Sequence, residues 1–303
     1  MKNANTLLLM VLCCMVLLFT LPANVNGASG GSNADQQADQ QTGQQTPPAQ
    51  HLSLGQAQSH VDHLTGQAPQ GEKLYRRFCI GCHGPRGDGE GENAQWIDPK
   101  PRDFTEATFK CRSTPTGTLP TDQDLYNSVG RGFVTSNMPS WYPLDNQDRA
   151  DLVAFIKTFS PRWVTEKAGP PIQIPTEPPV TLDSIKRGHE LFEHLECWKC
   201  HGQEGRGNGP SASTLTDSKD RPIRPYDFST GDRFKCGETN SDLYRIFMTG
   251  LDGTPMPSFA DNVKPDQAWD LVHFLRTLQL AHHGPEIELV QGSGHHEHKS
   301  GGK

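Results

Sequence analysis

Cys79-Ile80-Gly81-Cys82-His83 decides the fold of this chain, and a second pentapeptide of the same type, Cys197-Trp198-Lys199-Cys200-His201, follows 118 residues later. In Cys-x-x-Cys-His the two thiols lie on one helical turn, where each can add to a vinyl group of haem. The imidazole of the next residue can then bind the iron. Zinc knuckles and redox dithiols also use Cys-x-x-Cys, so a single copy is a moderately specific signal. Two copies in matching surroundings predict two covalently bound c-type haems.

The surroundings of the two motifs match at the same offset of 118 residues. Glycines that follow the first motif histidine recur after the second, as do an Asp-Leu-Tyr and a Met-Pro-Ser tripeptide. The matched positions are Gly84, Gly87, Gly89 and Gly91 with Gly202, Gly205, Gly207 and Gly209, 124–126 with 242–244, and 138–140 with 256–258. The interval from the motif histidine to the methionine is 55 residues in both halves. This self-similarity predicts a duplicated one-haem domain.

Each half also has the pattern of a helical domain. A Gly-x-x-Leu-aromatic sequence precedes each motif, and each half closes with apolar residues at positions i, i+1, i+4 and i+7, which form one stripe of a helix. The closing sets are Leu152, Val153, Ile156 and Phe159, and Leu271, Val272, Leu275 and Leu278. We expect each closing helix to pack across the helix that precedes the motif. The glycines after each histidine are predicted to have positive φ where the chain passes the haem edge.

The composition favours small domains that are built around a cofactor. Only 33% of the residues are hydrophobic, and the chain contains 30 Gly and 24 Pro. That is too little apolar material for one large core, whereas a porphyrin can itself fill the centre of a small domain. The formal net charge of −7 argues against a nucleic acid partner and favours a basic docking surface on a partner protein.

Composition and motifs divide the chain into six predicted segments. They are a signal peptide (1–27), a Gln-rich flexible segment (28–70), a first haem domain (71–160), a Pro-rich linker (161–181), a second haem domain (182–280) and a His-containing flexible tail (281–303). The apolar run over residues 7–21 is shorter than the roughly 20 residues that span a bilayer. This favours a cleaved signal peptide over an uncleaved membrane anchor. We therefore expect export to the periplasm or an equivalent compartment, with no membrane span after cleavage.

Both halves resemble class I c-type cytochrome domains, the small all-α fold of mitochondrial cytochrome c and its bacterial relatives. The resemblance implies an all-α protein in which two tandem cytochrome c domains are joined by the Pro-rich linker. It also implies two haem c groups, bound covalently by Cys79, Cys82, Cys197 and Cys200. The axial ligands that it implies are His83 and Met138 in the first half and His201 and Met256 in the second.

Methionine suits the sixth position because its thioether is a soft, neutral ligand that favours ferrous iron and raises the reduction potential. Core packing is the other common fate of a methionine, and Met248 is a rival to Met256 for the second iron. Met248 aligns with Gly130 of the first half rather than with a methionine. The repeat therefore favours Met256.

A second, looser resemblance concerns dihaem cytochromes found beside molybdenum oxidoreductases, including the nitrite oxidoreductases of nitrite-oxidising and anammox bacteria. The similar stretches are Pro101-Arg102-Asp103-Phe104, Phe109-Lys110-Cys111-Arg112-Ser113-Thr114 and Leu119-Pro120-Thr121-Asp122. The resemblance implies redox partner proteins, among them a molybdenum oxidoreductase complex. For a protein of anammox origin it implies the anammoxosome lumen as the compartment.

Cys111 and Cys236 lie outside the haem motifs, each within a Phe-Lys-Cys sequence. Leftover cysteines in an oxidising compartment often pair, so one interpretation is a disulfide that joins the two halves. The alternatives are two buried small side chains, an intermolecular disulfide, and thiolate ligation of an iron as in dihaem thiosulfate-oxidising cytochromes. Sequence alone does not decide among them, because a bridge depends on the distance between the two Cα atoms.

The resemblance implies electron transfer by Fe(III)/Fe(II) cycling of two His/Met haems. No catalytic residues are expected, because two six-coordinate irons leave no open position for a substrate. The alternatives are a haem subunit of a larger respiratory oxidoreductase assembly, and a dihaem enzyme such as a peroxidase or a thiosulfate dehydrogenase. Candidates for tuning the reduction potentials are Arg102, Arg112, Tyr126, Trp141, Tyr226, Tyr244 and Phe259.

Overall fold

The computed structural model describes residues 49–133, 136–231 and 234–283 of the chain. The predicted signal peptide, residues 28–48 of the Gln-rich segment and residues 284–303 of the tail lie outside the described residues. No helix within the described ranges is long and apolar enough to cross a membrane.

The described part of the first half contains a small hairpin and four helices. Strands β1 (Gln58–Val61) and β2 (Leu64–Gln67) pair in antiparallel fashion. The helices are α1 (Ala68–Phe78), α2 (Ile80–His83), α3 (Asp122–Arg131) and α4 (Asn146–Ile156), with 3-10 turns at Ala94–Trp96 and Lys157–Phe159. Helix α3 begins with a capping box, in which the Thr121 hydroxyl accepts from the Asp124 N–H and the Asp124 carboxylate accepts from the Thr121 N–H.

The second half repeats the order of the helices. A short helix α5 (Arg162–Thr165) opens the linker, and the helices that follow it are α6 (Leu182–His194), α7 (Trp198–His201), α8 (Asn240–Thr249) and α9 (Pro265–His283), with 3-10 turns at Ala212–Thr214 and Phe228–Thr230. Helices α6, α7, α8 and α9 thus correspond to α1, α2, α3 and α4. The predicted all-α class is confirmed, and the hairpin is a small addition to it.

Each closing helix packs across the first helix of its domain, as the apolar stripes predicted. At the crossing, a Cβ on Gly71 of α1 would lie 2.0 Å from the Asp151 backbone oxygen of α4. The second half has the same arrangement, since a Cβ on Gly188 of α6 would lie 2.0 Å from the Asp270 backbone oxygen. This crossing explains why the Gly-x-x-Leu-aromatic sequence occurs in both halves. Only glycine permits this close approach of two helix backbones.

We predict that Gly71→Ala lowers the free energy of unfolding by about 1–3 kcal/mol, because the added methyl group overpacks the crossing. The intrinsic helix propensity of alanine acts in the opposite direction by about 1 kcal/mol. Gly55→Ala is the matched control, since a Cβ on Gly55 would meet nothing within 4 Å. Denaturant unfolding followed by circular dichroism measures both variants. A Gly71→Ala protein that is as stable as the control would contradict the crossing.

The hairpin corrects one prediction. We expected residues 28–70 to be flexible, and for the hairpin this is wrong, because it packs on α4. Ala57 and Val61 are each only 1% exposed, and the Ser59 hydroxyl donates to the Ala150 backbone oxygen at 2.7 Å. Two four-residue strands contribute too few inward side chains to produce a core-forming pattern in the sequence. Their burial depends on a helix whose contacts with them join residues 82 to 91 positions apart.

A disulfide and a buried arginine join the two halves. Cys111 and Cys236 form an intramolecular bridge with their Cα atoms 5.1 Å apart, which is the first of the interpretations that the sequence left open. The neighbouring Arg112 has a fully buried side chain. Its guanidinium pairs with Asp252 at 2.8 Å and donates to the Thr249 backbone oxygen at 2.5 Å. Both contacts reach from the first half into the second.

Further polar contacts extend this interface. The Lys219 ammonium pairs with Asp103 at 2.5 Å and with Glu106 at 3.0 Å. The linker also touches the first half, because the Ile172 N–H donates to the Ser113 backbone oxygen at 2.8 Å. The two domains are therefore docked against each other as parts of one compact unit.

Candidate functional site

The motif residues of the first half lie on one helical turn. Helix α1 ends at Phe78, and the Cys79 backbone oxygen accepts from the N–H groups of Cys82 at 3.1 Å and His83 at 2.9 Å. The second motif repeats this turn around the Cys197 backbone oxygen. None of the four motif cysteines takes part in a disulfide. Burial raises the pKa of Cys79 and of Cys197 to about 12, so these thiols are neutral near pH 7.

The two motif histidines are held by the same kind of hydrogen bond. The Nδ1 atom of His83 lies 3.0 Å from the Arg102 backbone oxygen, and that of His201 lies 3.1 Å from the Tyr226 backbone oxygen. A carbonyl oxygen only accepts, so each Nδ1 carries the proton and each Nε2 keeps its lone pair for a metal. Burial lowers the pKa of both imidazoles. They are thus neutral, which is the form that binds iron.

The carbonyl partners of the histidines are functional groups that the sequence analysis missed. A usable signal exists, because Pro101-Arg102-Asp103-Phe104 matches Pro225-Tyr226-Asp227-Phe228 at an offset of 124 rather than 118 residues. Phe104 stacks on His83 with ring centroids 4.5 Å apart, and Phe228 lies 5.0 Å from His201. At the offset of 118 residues that aligns the two motifs, these two segments do not align with each other.

The glycine-rich loops position these Pro-x-Asp-Phe segments. In the first half the Gly87 backbone oxygen accepts from the Phe104 N–H at 2.7 Å, and in the second the Gly205 oxygen accepts from the Phe228 N–H at 2.7 Å. Gly87 has φ of 67° and Gly205 has φ of 69°. The predicted positive φ holds for three glycines of each loop, Gly84, Gly87 and Gly89 in the first and Gly202, Gly205 and Gly207 in the second.

The two predicted axial methionines occupy equivalent loops. The Met138 backbone oxygen accepts from the Phe133 N–H at 3.0 Å, and its N–H donates to the Ser136 hydroxyl at 3.3 Å. In the second half the same two bonds join Met256 to the Leu251 N–H at 3.1 Å and to the Thr254 hydroxyl at 3.2 Å. The rival Met248 belongs to α8 and, like Met256, packs against the second core as a partly buried residue. Of the two, Met256 has the loop hydrogen bonds that match those of Met138.

The structure brings the predicted site residues of the first half together. Cys79, Cys82, His83 and Met138 line one cavity. Its wall is largely aromatic and aliphatic, with Tyr75, Phe104, Phe109, Leu125, Trp141 and Leu152 among the lining residues. Four cationic residues, Lys100, Arg102, Lys110 and Lys235, also face the cavity. Two thiols, an imidazole, a thioether, apolar walls and cations for the propionate groups form a donor set that fits haem c.

In the second half, the predicted site residues lie around the second core. Cys197 and Met256 pack against that core as partly buried residues, beside Trp198 and Phe259. Phe228, whose ring faces His201, is a buried member of the same core. The second half therefore places a motif thiol and the predicted thioether against one apolar core, and the imidazole of His201 beside a ring of that core.

Some of the residues predicted to tune the reduction potentials lie near a motif histidine or line the first cavity, and the others lie elsewhere. Arg102 and Trp141 line the first cavity, and Tyr226 supplies the carbonyl partner of His201. Arg112 lies in the interface between the halves instead. The Tyr126 hydroxyl accepts from the Arg149 guanidinium at 2.8 Å, which is a structural contact within the first domain. In the second half Tyr244 packs on Trp269.

Comparisons with known proteins agree with this geometry. The family model for cytochrome c matches the chain twice, at residues 68–160 and 185–279. Among solved structures, a chain of the Kuenenia stuttgartiensis reducing HAO-like protein complex Kustc0457/Kustc0458 has a TM-score of 0.68 and 42% sequence identity, and the match covers 69% of this chain and 95% of that chain. No curated protein sequence matches.

Proposed function

Because the chain belongs to the cytochrome c family, with one domain of that family in each half, we propose that it carries electrons with two covalently bound haem c groups. Each haem, when bound, supplies a one-electron Fe(III)/Fe(II) couple. The observation that carries the proposal is the repetition, in both halves, of one histidine geometry and one methionine loop. We assign attachment to Cys79, Cys82, Cys197 and Cys200, and axial ligation to His83, Met138, His201 and Met256.

Residues of the chain orient the predicted iron ligands in each half. The carbonyls of Arg102 and Tyr226 fix the tautomer and the ring orientation of the two histidines. The aromatic rings of Phe104 and Phe228 keep water away from the imidazoles. A dry, apolar surrounding and a thioether both favour the less charged ferrous state, so these residues support a relatively high reduction potential.

A carrier fits the donor set better than an enzyme does. Each half offers both a histidine and a methionine, which together complete the coordination of an iron and leave no position for a substrate. A dihaem peroxidase requires one iron whose distal position can open. The equivalent loops around Met138 and Met256 support the same closed coordination in both halves.

A second candidate role is a haem subunit of a larger oxidoreductase assembly. The similar Kuenenia stuttgartiensis chain is part of a protein complex, which favours redox partner proteins for this chain too. The resemblance to dihaem cytochromes beside molybdenum oxidoreductases makes such an enzyme the partner that we propose. The disulfide between Cys111 and Cys236 supports an oxidising, extracytoplasmic location such as the periplasm or the anammoxosome lumen. Native size in an extract of the source distinguishes a bound subunit from a free carrier.

Absorption and low-temperature EPR spectra, recorded through a redox titration, test the proposal. We expect two low-spin haems, both with the weak far-red sulfur-to-iron band of methionine ligation. Pyridine haemochrome analysis should give two haems for each chain. A high-spin haem in the resting protein, or a haem with thiolate character, would contradict the carrier role for that half and favour an enzyme.

A further inference from the structure

Three cationic residues that line the first cavity lie close enough together to influence one another electrostatically. Arg102 and Lys110 come from the first half, whereas Lys235 comes from the second, yet all three line the same cavity. Lys110 and Lys235 are each half-buried. A residue of the second domain therefore forms part of the wall around the predicted haem of the first.

The charge around the two lysines is unbalanced. The ammonium groups of Lys110 and Lys235 have no ion-pair partner within residues 49–133, 136–231 and 234–283. Among charged neighbours, Lys110 is influenced most by Lys235 and Arg102, both positive, and less by Asp217. Two of the acids near Arg102, Asp103 and Glu106, already pair with Lys219, and Asp217 is the third acid whose charge acts on Arg102.

This imbalance disfavours the charged forms of the two lysines. Burial, together with the positive charges of Lys235 and Arg102, lowers the pKa of Lys110 to about 7. Burial and Arg102 also lower the pKa of Lys235. Placing like charges in a half-buried position without an anion is unfavourable, and a nearby anion reverses the effect. The cavity edge thus matches a negatively charged part of its ligand.

We propose that Lys110 and Lys235 form a carboxylate-binding pair for the propionate groups of the first haem, so that the second domain completes the haem site of the first. The proposal rests on the proposed function, because it requires haem c in this cavity. Cys79 and Cys82 would bind haem through its two vinyl groups. The propionates belong to the other two pyrrole rings, and they are the anionic groups of this ligand.

The disulfide keeps Lys235 in place. Cys236 follows it directly and is bonded to Cys111, which follows Lys110. The Cys111 sulfur also lies 3.8 Å from the Lys235 backbone oxygen. On the other side of Cys111, the buried Arg112 binds Asp252 and the Thr249 carbonyl. Both lysines are therefore chain neighbours of the covalent link between the two halves.

The pair has a consequence for the reduction potential. Ferric haem carries one more positive charge than ferrous haem, so a nearby cation favours the ferrous state. Removal of the Lys235 charge should raise the Fe(III)/Fe(II) ratio of the first haem at a fixed potential by roughly threefold to tenfold, and tenfold corresponds to about 59 mV for one electron.

Spectroelectrochemical titration of the haem-loaded protein tests the pair. Lys235→Gln should lower one of the two potentials, the same one that a Met138→Ala change moves, and leave the other in place. Lys235→Arg keeps the positive charge and should therefore have the wild-type potentials. Lys110→Gln should lower the potential of the same haem as Lys235→Gln. Lys264→Gln is the matched control, because this exposed lysine of the second domain lies outside the lining of the first cavity. In a Cys111→Ser, Cys236→Ser background the effect of Lys235→Gln should shrink, since the lysine is no longer tethered.

Three outcomes would contradict the proposed lysine pair. The potentials of Lys235→Gln could equal those of the Lys264→Gln control, or both haem potentials could shift equally in Lys235→Gln. The third is a Lys235→Arg protein whose potentials are those of Lys235→Gln rather than those of the wild type. If Lys235→Gln fails to load haem, Lys110→Gln provides the same comparison at the same edge. Failure of the proposed function is distinguishable, because it appears already in the wild type as a missing or high-spin haem. Two low-spin haems whose potentials are the same in Lys235→Gln as in the wild type would contradict the lysine pair but not the proposed electron-carrier function.

Discussion

Replacement of Met138 by alanine should lower the reduction potential of one haem on the order of 0.1 V and remove half of the far-red sulfur-to-iron absorption. The thioether is the soft, neutral ligand that stabilises ferrous iron, so its loss favours the ferric state. The expected change is a fraction of the range of about 0.8 V over which axial ligands set haem potentials. A redox titration followed by absorption, with EPR of the oxidised protein, measures both effects.

Two further variants make this result specific. Met256→Ala should have the same effect on the other haem, because Met256 occupies the equivalent loop with the equivalent hydrogen bonds. Met248→Ala is the matched control, since Met248 is partly buried against the second core as Met256 is, but lies on helix α8 rather than in the loop that matches the Met138 loop. It should change stability and leave both potentials and both sulfur bands in place. A sulfur band that survives Met138→Ala and Met256→Ala unchanged would contradict the assigned ligands.

Removal of the disulfide between Cys111 and Cys236 should lower the free energy of unfolding by about 2–5 kcal/mol. The bridge joins residues 125 positions apart, so it removes much conformational freedom from the unfolded chain, and chain-entropy models predict a large effect for a loop of this length. Denaturant unfolding of the Cys111→Ser, Cys236→Ser protein, monitored by circular dichroism, measures the change.

Reduction of the wild type provides an independent comparison. A thiol-free reductant should move the wild-type unfolding midpoint towards that of the double variant and leave the double variant unchanged. Because the reductant would also reduce the haem irons, the wild type and the double variant are treated with it in the same way. The remaining interface contacts, such as the Arg112 to Asp252 pair and the Lys219 to Asp103 pair, should still hold the domains together at low denaturant. Equal midpoints for the wild type and the double variant, before any reductant is added, would argue against a bridge within the chain.

Local patterns predicted the parts of the site that depend on nearby residues. The thiols of Cys79 and Cys82 and the imidazole of His83 fall on one turn, because hydrogen bonds between residues three and four positions apart define a helix. The same reasoning explains the closing helices, whose apolar stripes predicted their packing on α1 and α6. The duplication added a second test for the motif cysteines, histidines and methionines, because each of these recurs at the offset of 118 residues.

Other features could not be predicted from the sequence, because they depend on contacts between distant parts of the chain. The hairpin at Gln58–Val61 and Leu64–Gln67 has too few apolar positions to be recognised, and its burial becomes visible only against α4. The carbonyl partners of His83 and His201 lie 19 and 25 residues away along the chain. A backbone carbonyl is present at every residue, so residue types alone cannot identify which one is used.

By itself the sequence determined the helical class, the duplication and the chemical types at each predicted haem site, because these follow from short spacings and from one repeated offset. Only the tertiary structure decided that Cys111 pairs with Cys236, that Arg112 joins the two domains, and that Lys235 faces the cavity of the opposite half. The physical reason is that these contacts join residues more than 120 positions apart. Their formation depends on how two folded domains dock, and docking is a property of complementary surfaces that no local pattern records.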